Sequence, residues 1–179
     1  LVALFALFAL WIRLLPLVTA GNADILDMVA MDDPMYNLRQ VEVMLAQFPG
    51  YAWFEPMTLY PTGTTIYWGP LFPTILAGFC LLLGASTRPE IISVALLIPP
   101  LMAAGTVLVM YFTGRLFGDW KTGLLASGFT AIIAGQFLTI SFYGYIDHHI
   151  AEVLFSTVFC LAYGYSLLSE KDRRIDFRN

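Results

Sequence analysis

Residues 71–85 read LFPTILAGFCLLLGA, and whether they cross a bilayer decides the topology of the chain. A helix needs about 20 apolar residues to span the hydrocarbon core. This stretch falls short of that, and Pro70 and Pro73 disturb its start. Residues 1–20, 91–113, 124–142 and 150–168 are the better spans. Pro99 and Pro100 kink the second of these, which neighbouring helices tolerate in a membrane.

Charge then fixes the count. Arg115 and Lys121 flank the connection 114–123, and Lys171, Arg173, Arg174 and Arg178 crowd the tail 169–179. Lys and Arg mark cytoplasmic segments, so both belong on that side. Four crossings place them together; a fifth through 71–85 would separate them. The expected fold class is therefore an all-α polytopic membrane protein with four transmembrane helices. Residues 1–20 form the first span. A first external loop, 21–90, holds a membrane-surface helix at 71–85. The second span is 91–113, followed by a cytoplasmic loop at 114–123 and the third span at 124–142. A second external loop, 143–149, leads to the fourth span at 150–168 and a cytoplasmic segment at 169–179. The chain is thus expected to be a multi-pass protein of the cell membrane.

Composition agrees, with 59% hydrophobic and 12% charged residues and a mean hydropathy of +0.74. Soluble domains hold about 45–50% apolar and about 25% charged residues. A net charge of −4 argues against nucleic acid, which calls for basic patches. Cys80 and Cys160 form no CxxC pair, so they read as small buried hydrophobes. The chain opens at Leu1 inside an apolar run and closes on a charged stretch, which suggests a fragment cut at both ends.

The first external loop is acidic and rich in Trp, Tyr and Pro. Aromatics such as Trp53, Tyr67 and Trp68 suit the headgroup level. Val41–Phe48 reads as a short amphipathic helix that Pro49-Gly50 stops. Two motifs carry the candidate chemistry. In Met31-Asp32-Asp33-Pro34-Met35-Tyr36-Asn37-Leu38-Arg39, an Asp N-cap with Pro at N1 accounts for Asp33-Pro34. It leaves the neighbouring Asp32 unexplained; adjacent carboxylates repel, and a divalent cation relieves that repulsion.

The second motif is Gly144-Tyr145-Ile146-Asp147-His148-His149-Ile150-Ala151-Glu152. An N-cap explains Asp147 but not the two histidines beside it. Asp147 and His149 could chelate one ion, leaving His148 to point elsewhere, and His149 and Glu152 share a helical face. Carboxylates with imidazole suit Mn²⁺ or Mg²⁺, and more imidazole would favour Zn²⁺. Under four crossings both motifs emerge outside, so one external site fed by both is physically possible.

These motifs, with the Tyr60-Pro61-Thr62-Gly63 to Tyr67-Trp68-Gly69-Pro70 stretch, resemble the catalytic subunit of oligosaccharyltransferase, most of all the archaeal form. The resemblance covers essentially the whole chain as the family's N-terminal transmembrane region. It implies a GT-C glycosyltransferase that moves an oligosaccharide from a lipid phosphate carrier to Asn in an Asn-X-Ser/Thr sequon. It implies that Asp33 is catalytic, approaching the acceptor Asn and binding the metal, with Asp147 and His149 as further metal ligands. The implied partners are a lipid-linked oligosaccharide, an acceptor protein bearing the sequon, and membrane lipid, with the active site facing outside. Related enzymes often carry an Arg several residues before the second motif; here that position is Ile140. Phosphate contact must then come from elsewhere, with Arg39 as a candidate whose alternative role is to pair with Asp32 or Glu42. The family's later catalytic glutamate and sequon-reading domain are outside this chain, so the 179 residues alone are expected to be inactive. Two other readings stand beside this one. One is another GT-C enzyme using a polyprenyl-phosphate sugar. The other is a divalent-metal transporter or channel subunit, which needs its ligands deep between helices.

Overall fold

The computed structural model describes residues 1–169, and the expected cytoplasmic tail with its four basic residues lies outside them. The chain divides into two compact units. One comprises residues 1–21, 99–143 and 149 onward, and the other residues 22–98 and 144–148.

The first unit is built from long apolar helices. Helix α1 spans Val2–Thr19, α5 Ile98–Phe117, α6 Trp120–Ile132, α7 Gln136–Thr139 and α8 His149–Ser169. Helix α1 packs on α6, and Ala6, Ala9, Val107 and Ala131 form a buried cluster against Phe5 and Ala104. Small residues let helix backbones approach closely where lipid offers no hydrophobic drive. Gly114 and Gly123 show this most clearly: a Cβ on Gly114 would lie 2.9 Å from the Gly123 Cα.

The second unit holds a 3₁₀ turn (Ile25–Met28), α2 (Asp33–Ala46), α3 (Leu71–Leu83) and α4 (Arg88–Ala95). A two-residue antiparallel pair joins β1 (Phe54–Glu55) to β2 (Thr64–Thr65). Helix α2 buries Pro34, Asn37, Leu38, Val41 and Met44, the i, i+3, i+4, i+7 stripe of an amphipathic helix. Helix α3 packs on α2 and α4, burying Phe72, Leu76, Ala77 and Cys80. Its chain reverses at Gly84, whose φ of +71° favours glycine. Thr87 and Glu90 then start α4 with a reciprocal capping box, and Arg88 pairs with Glu42 of α2 at 3.0 Å.

Among the described residues, three helical stretches are long and apolar enough to cross a membrane: Val2–Thr19, Arg88–Phe117 and His149–Leu168. Within the second, the helix is interrupted between Ala95 and Ile98. Pro99 and Pro100 lack the N–H groups that would continue the ladder there. The expected third span, 124–142, is not one helix. It stops at Ile132 and resumes at Gln136, with Gly135 at φ +90° between them. The amphipathic helix expected at 41–48 is instead the end of α2, which starts at the first motif.

Candidate metal centre

The first motif sits where α2 begins. Asp33 is the first helical residue, one position earlier than an Asp33 N-cap would give, and Pro34 follows at N2. The N-cap is Asp32, whose side chain makes no cap hydrogen bond; its carbonyl accepts from the Met35 and Tyr36 amides at 3.0 and 3.2 Å. Asp32 has φ +76°, a conformation that costs a non-glycine residue energy and clusters at functional sites.

The second motif is tied to the first and to the residues just before it. The Ala30 N–H donates to the Gly144 carbonyl at 2.8 Å. Gly144 itself has φ +118°, and a Cβ there would meet the Met28 carbonyl at 3.0 Å, so only glycine fits. Asn37, one helical turn after Asp33, is buried and donates Nδ2–H to the Ile146 carbonyl at 3.0 Å. It also lies 3.4 Å from His148 Nδ1. These ties bring Asp33, Asp147 and His148 together, with one potential ligand atom from each lying within 4.8 Å of the others. Asp147 is 7% exposed. Two carboxylates this close, one of them buried, repel each other unless a cation or proton intervenes.

Aromatic side chains frame the group. The His148 ring stacks on Trp68 with 4° between planes and centroids 6.0 Å apart, and Tyr36 meets Trp68 edge-on. Trp53 and Tyr67, by contrast, are exposed. Tyr51 packs edge-on against Trp53. Burial, with Tyr36 adding to it, pushes the Tyr51 phenol up to about 12, so it stays neutral near pH 7.

The remaining candidates lie as follows. His149 opens α8, where its Nδ1 is 2.7 Å from Glu152 Oε2, the i, i+3 pairing its spacing allows. Arg39 pairs with neither Asp32 nor Glu42; its partner is the buried Glu55, at 3.6 Å. Ile140 is buried. Asn37 was not singled out as a site residue from sequence, and Trp68 was read there as an aromatic of the headgroup level. The one signal for Asn37 is its i+4 spacing from Asp33, which puts both on one helical face.

Residues 6–172 match the family model described as oligosaccharyl transferase STT3, N-terminal. A dolichyl-phosphooligosaccharide-protein glycotransferase of Archaeoglobus fulgidus is 31% identical over 136 residues, 74% of this chain and 16% of its own length. The glycotransferase AglB of Haloferax volcanii is 31% identical over 127 residues, 69% of this chain and 12% of its own. The chain thus spans less than a fifth of these relatives. Among solved structures, A. fulgidus AglB in complex with an inhibitory peptide and a dolichol-phosphate superposes with a TM-score of 0.87 at 26% identity. That match covers 96% of this chain and 20% of AglB. The A. fulgidus enzyme with Zn and sulfate gives a TM-score of 0.86 at 24% identity, covering 99% of this chain and 22% of that one. The fold is therefore that of the GT-C transmembrane region, and the chain is a membrane protein belonging to the oligosaccharyl transferase STT3 family, whose N-terminal region it carries.

Proposed function

We propose that this chain supplies the divalent-metal half of an active site that transfers an oligosaccharide from a dolichyl-phosphate-type lipid to the Asn of an Asn-X-Ser/Thr sequon. The observation that carries the reading is the convergence of Asp33 and Asp147 in a family of such enzymes. Solved relatives bound to a dolichol-phosphate, to a peptide containing a sequon, and to Zn with sulfate are consistent with it.

Two carboxylates beside an imidazole, one of them buried, fit a hard cation, and Mn²⁺ or Mg²⁺ suits carboxylate-rich sites. Asp33 and Asp147 would hold it, with His149 as the third ligand the family motif implies. Bound there, the cation would neutralise the phosphate of the departing lipid. Asp33 accepts an N–H of the acceptor amide, drawing density onto a nitrogen that is otherwise a poor nucleophile. Trp68 and Asn37 keep the second motif in place while this happens. Arg39 contacts the lipid phosphate only in competition with Glu55, and so contributes less than an unpaired guanidinium would.

Four crossings in the cell membrane, with this site outside, remain our reading of the topology. Helix α5, 20 residues long, covers about 30 Å at 1.5 Å per residue, and Arg115 and Lys121 about its end support a cytoplasmic connection there. Helix α3, at 13 residues, is short of the about 20 that a crossing needs, which supports a surface position.

The test uses the complete protein with a sequon peptide, a lipid-linked oligosaccharide and Mn²⁺. Asp33→Ala and Asp147→Ala should each lower transfer by at least a hundredfold. Transfer retained in both variants overturns the site. Sugar transfer to an acceptor without a sequon would instead favour another GT-C activity.

A further inference from the structure

We propose that the groove between α5 and α8 binds one anionic phospholipid, with a hydrocarbon chain along the groove and the headgroup phosphate at Arg115. The site stands apart from the metal centre and uses none of its residues.

The groove belongs wholly to the first unit. Its volume is about 450 Å³, within the range of small-molecule sites. Phe112 and Leu116 of α5 and Val158 and Leu161 of α8 give it apolar walls, and among the described residues Arg115 is the one charged member of the lining. The two helices run parallel. A Cβ on Gly105 would lie 3.7 Å from the Leu154 side chain. About three turns further along both helices, a Cβ on Gly164 would lie 2.5 Å from the Leu116 side chain. Arg115 on one helix and Tyr165 on the other therefore line the same end of the groove, the end read above as cytoplasmic.

Charge selects the occupant. A purely apolar occupant, such as another helix, would gain nothing at Arg115, whereas a phospholipid brings a chain for the walls and an anion for the guanidinium in one molecule. Arg115 lies 5.8 Å from the centroid of the Tyr111 ring. A guanidinium presents five N–H donors in one plane, so it can meet a phosphate without giving up its other contacts. The surrounding charge runs the same way. Segments 114–123 and 169–179 carry six basic residues against four acidic ones, while the rest of the chain carries three against nine. A basic pocket between transmembrane helices on the cytoplasmic side is the setting in which anionic headgroups bind.

The experiment uses the complete protein in mild detergent, read by native mass spectrometry against an equimolar mixture of phosphatidylglycerol and phosphatidylcholine. The wild type should retain a phospholipid and prefer phosphatidylglycerol by about fivefold, the worth of one basic residue at an anionic surface. Arg115→Gln should abolish the preference, and Arg115→Lys should keep most of it. Ala162→Phe, which fills the groove, should lose both lipids; if that variant does not fold, Arg115→Gln decides alone. An undiminished preference in Arg115→Gln, or no lipid retained by the wild type, overturns the proposal. A photoreactive benzophenone side chain in place of Leu161 identifies the occupant in nanodiscs of the same two lipids. Cross-linking to phospholipid is the expected result. Cross-linking to another segment of the same protein would show the groove filled by protein and end the proposal.

Discussion

Ser141→Ala should destabilise this protein more than removal of the cation it serves. Arg13 is fully buried in the first apolar helix. Its Nε donates to Ser141 Oγ at 2.7 Å, and Nη1 donates to the Ala9 and Ala131 carbonyls at 3.1 and 3.4 Å. The guanidinium also lies 4.9 Å from the centroid of the Phe137 ring, while Nη2 has no partner. Ser141→Ala leaves the charge in place and takes away its shortest bond. A hydrogen bond to a charged group is worth about 1.5–3 kcal/mol net, and the stranded N–H cannot turn to water. Arg13→Met loses the same bond and the longer ones to Ala9 and Ala131, but it also relieves the desolvation of the guanidinium. Removing a buried charge altogether costs less than breaking its partnership. In the Arg13→Met background Ser141→Ala should then be nearly silent, because Ser141 still gives its own proton only to the Phe137 and Leu138 carbonyls. The double-mutant cycle, read by SDS unfolding in mixed micelles, should give a coupling of about 1.5–3 kcal/mol, against about 0.5 or less for independent sites. Additive effects would refute the view of Arg13 and Ser141 as one unit.

Three further outcomes follow from local geometry. Gly123→Ala places a Cβ 2.7 Å from the Tyr111 carbonyl oxygen; backbone cannot yield there, so the variant should lose about 1–3 kcal/mol. Gly78→Ala, with open space around it in α3, should gain up to about 1 kcal/mol in the same assay. Asp119 caps α6 by accepting from the Lys121 and Thr122 amides, and the Thr122 N–H foremost holds its carboxyl below the usual 3.8. A depressed folded-state value means stability present above pH 3.8 and lost as pH falls through the folded value. Asp119→Asn should flatten that acid limb of the thermal stability curve, and an unchanged limb would remove the cap from the account.

Much of this was readable beforehand because it depends on local chemistry. The shortness of 71–85 follows from composition, and the chain indeed forms a 13-residue helix there, Leu71–Leu83. The motif at Asp33 announces a helix start through its Asp-Pro pair. The register was read one residue late, since the positive φ of Asp32 leaves no trace in residue type. Asp33 and Asp147 stood out as acids in an apolar chain. The partner of Arg39 did not, because Glu55 lies in β1, past the end of α2, and nothing in residue type pairs the two. His148 and Asn37 escaped for a similar reason: their hydrogen bond joins residues 111 apart in sequence, and an asparagine one turn into a helix reads as ordinary.

The break in the third apolar stretch is the most instructive miss. Hydropathy measures transfer from water, and residues 124–142 remain apolar whether the ladder is continuous or not. A helix end inside lipid is costly because its last carbonyls lose their partners. The clue lay elsewhere, in the one cation of the first span. A buried Arg13 needs oxygen acceptors, and apolar side chains offer none. The end of α6 supplies the Ala131 carbonyl, and Ser141, just past α7, supplies a hydroxyl. Each anomaly satisfies the other: the cation tolerates burial because a helix is broken beside it, and the helix tolerates the break because a cation takes up its carbonyl. The Arg13 carbonyl also accepts the Tyr143 N–H at 2.9 Å, so the chain is anchored one residue before the second motif begins. An intramembrane arginine read with the apolar stretch that must feed it would have predicted both the break and the anchor.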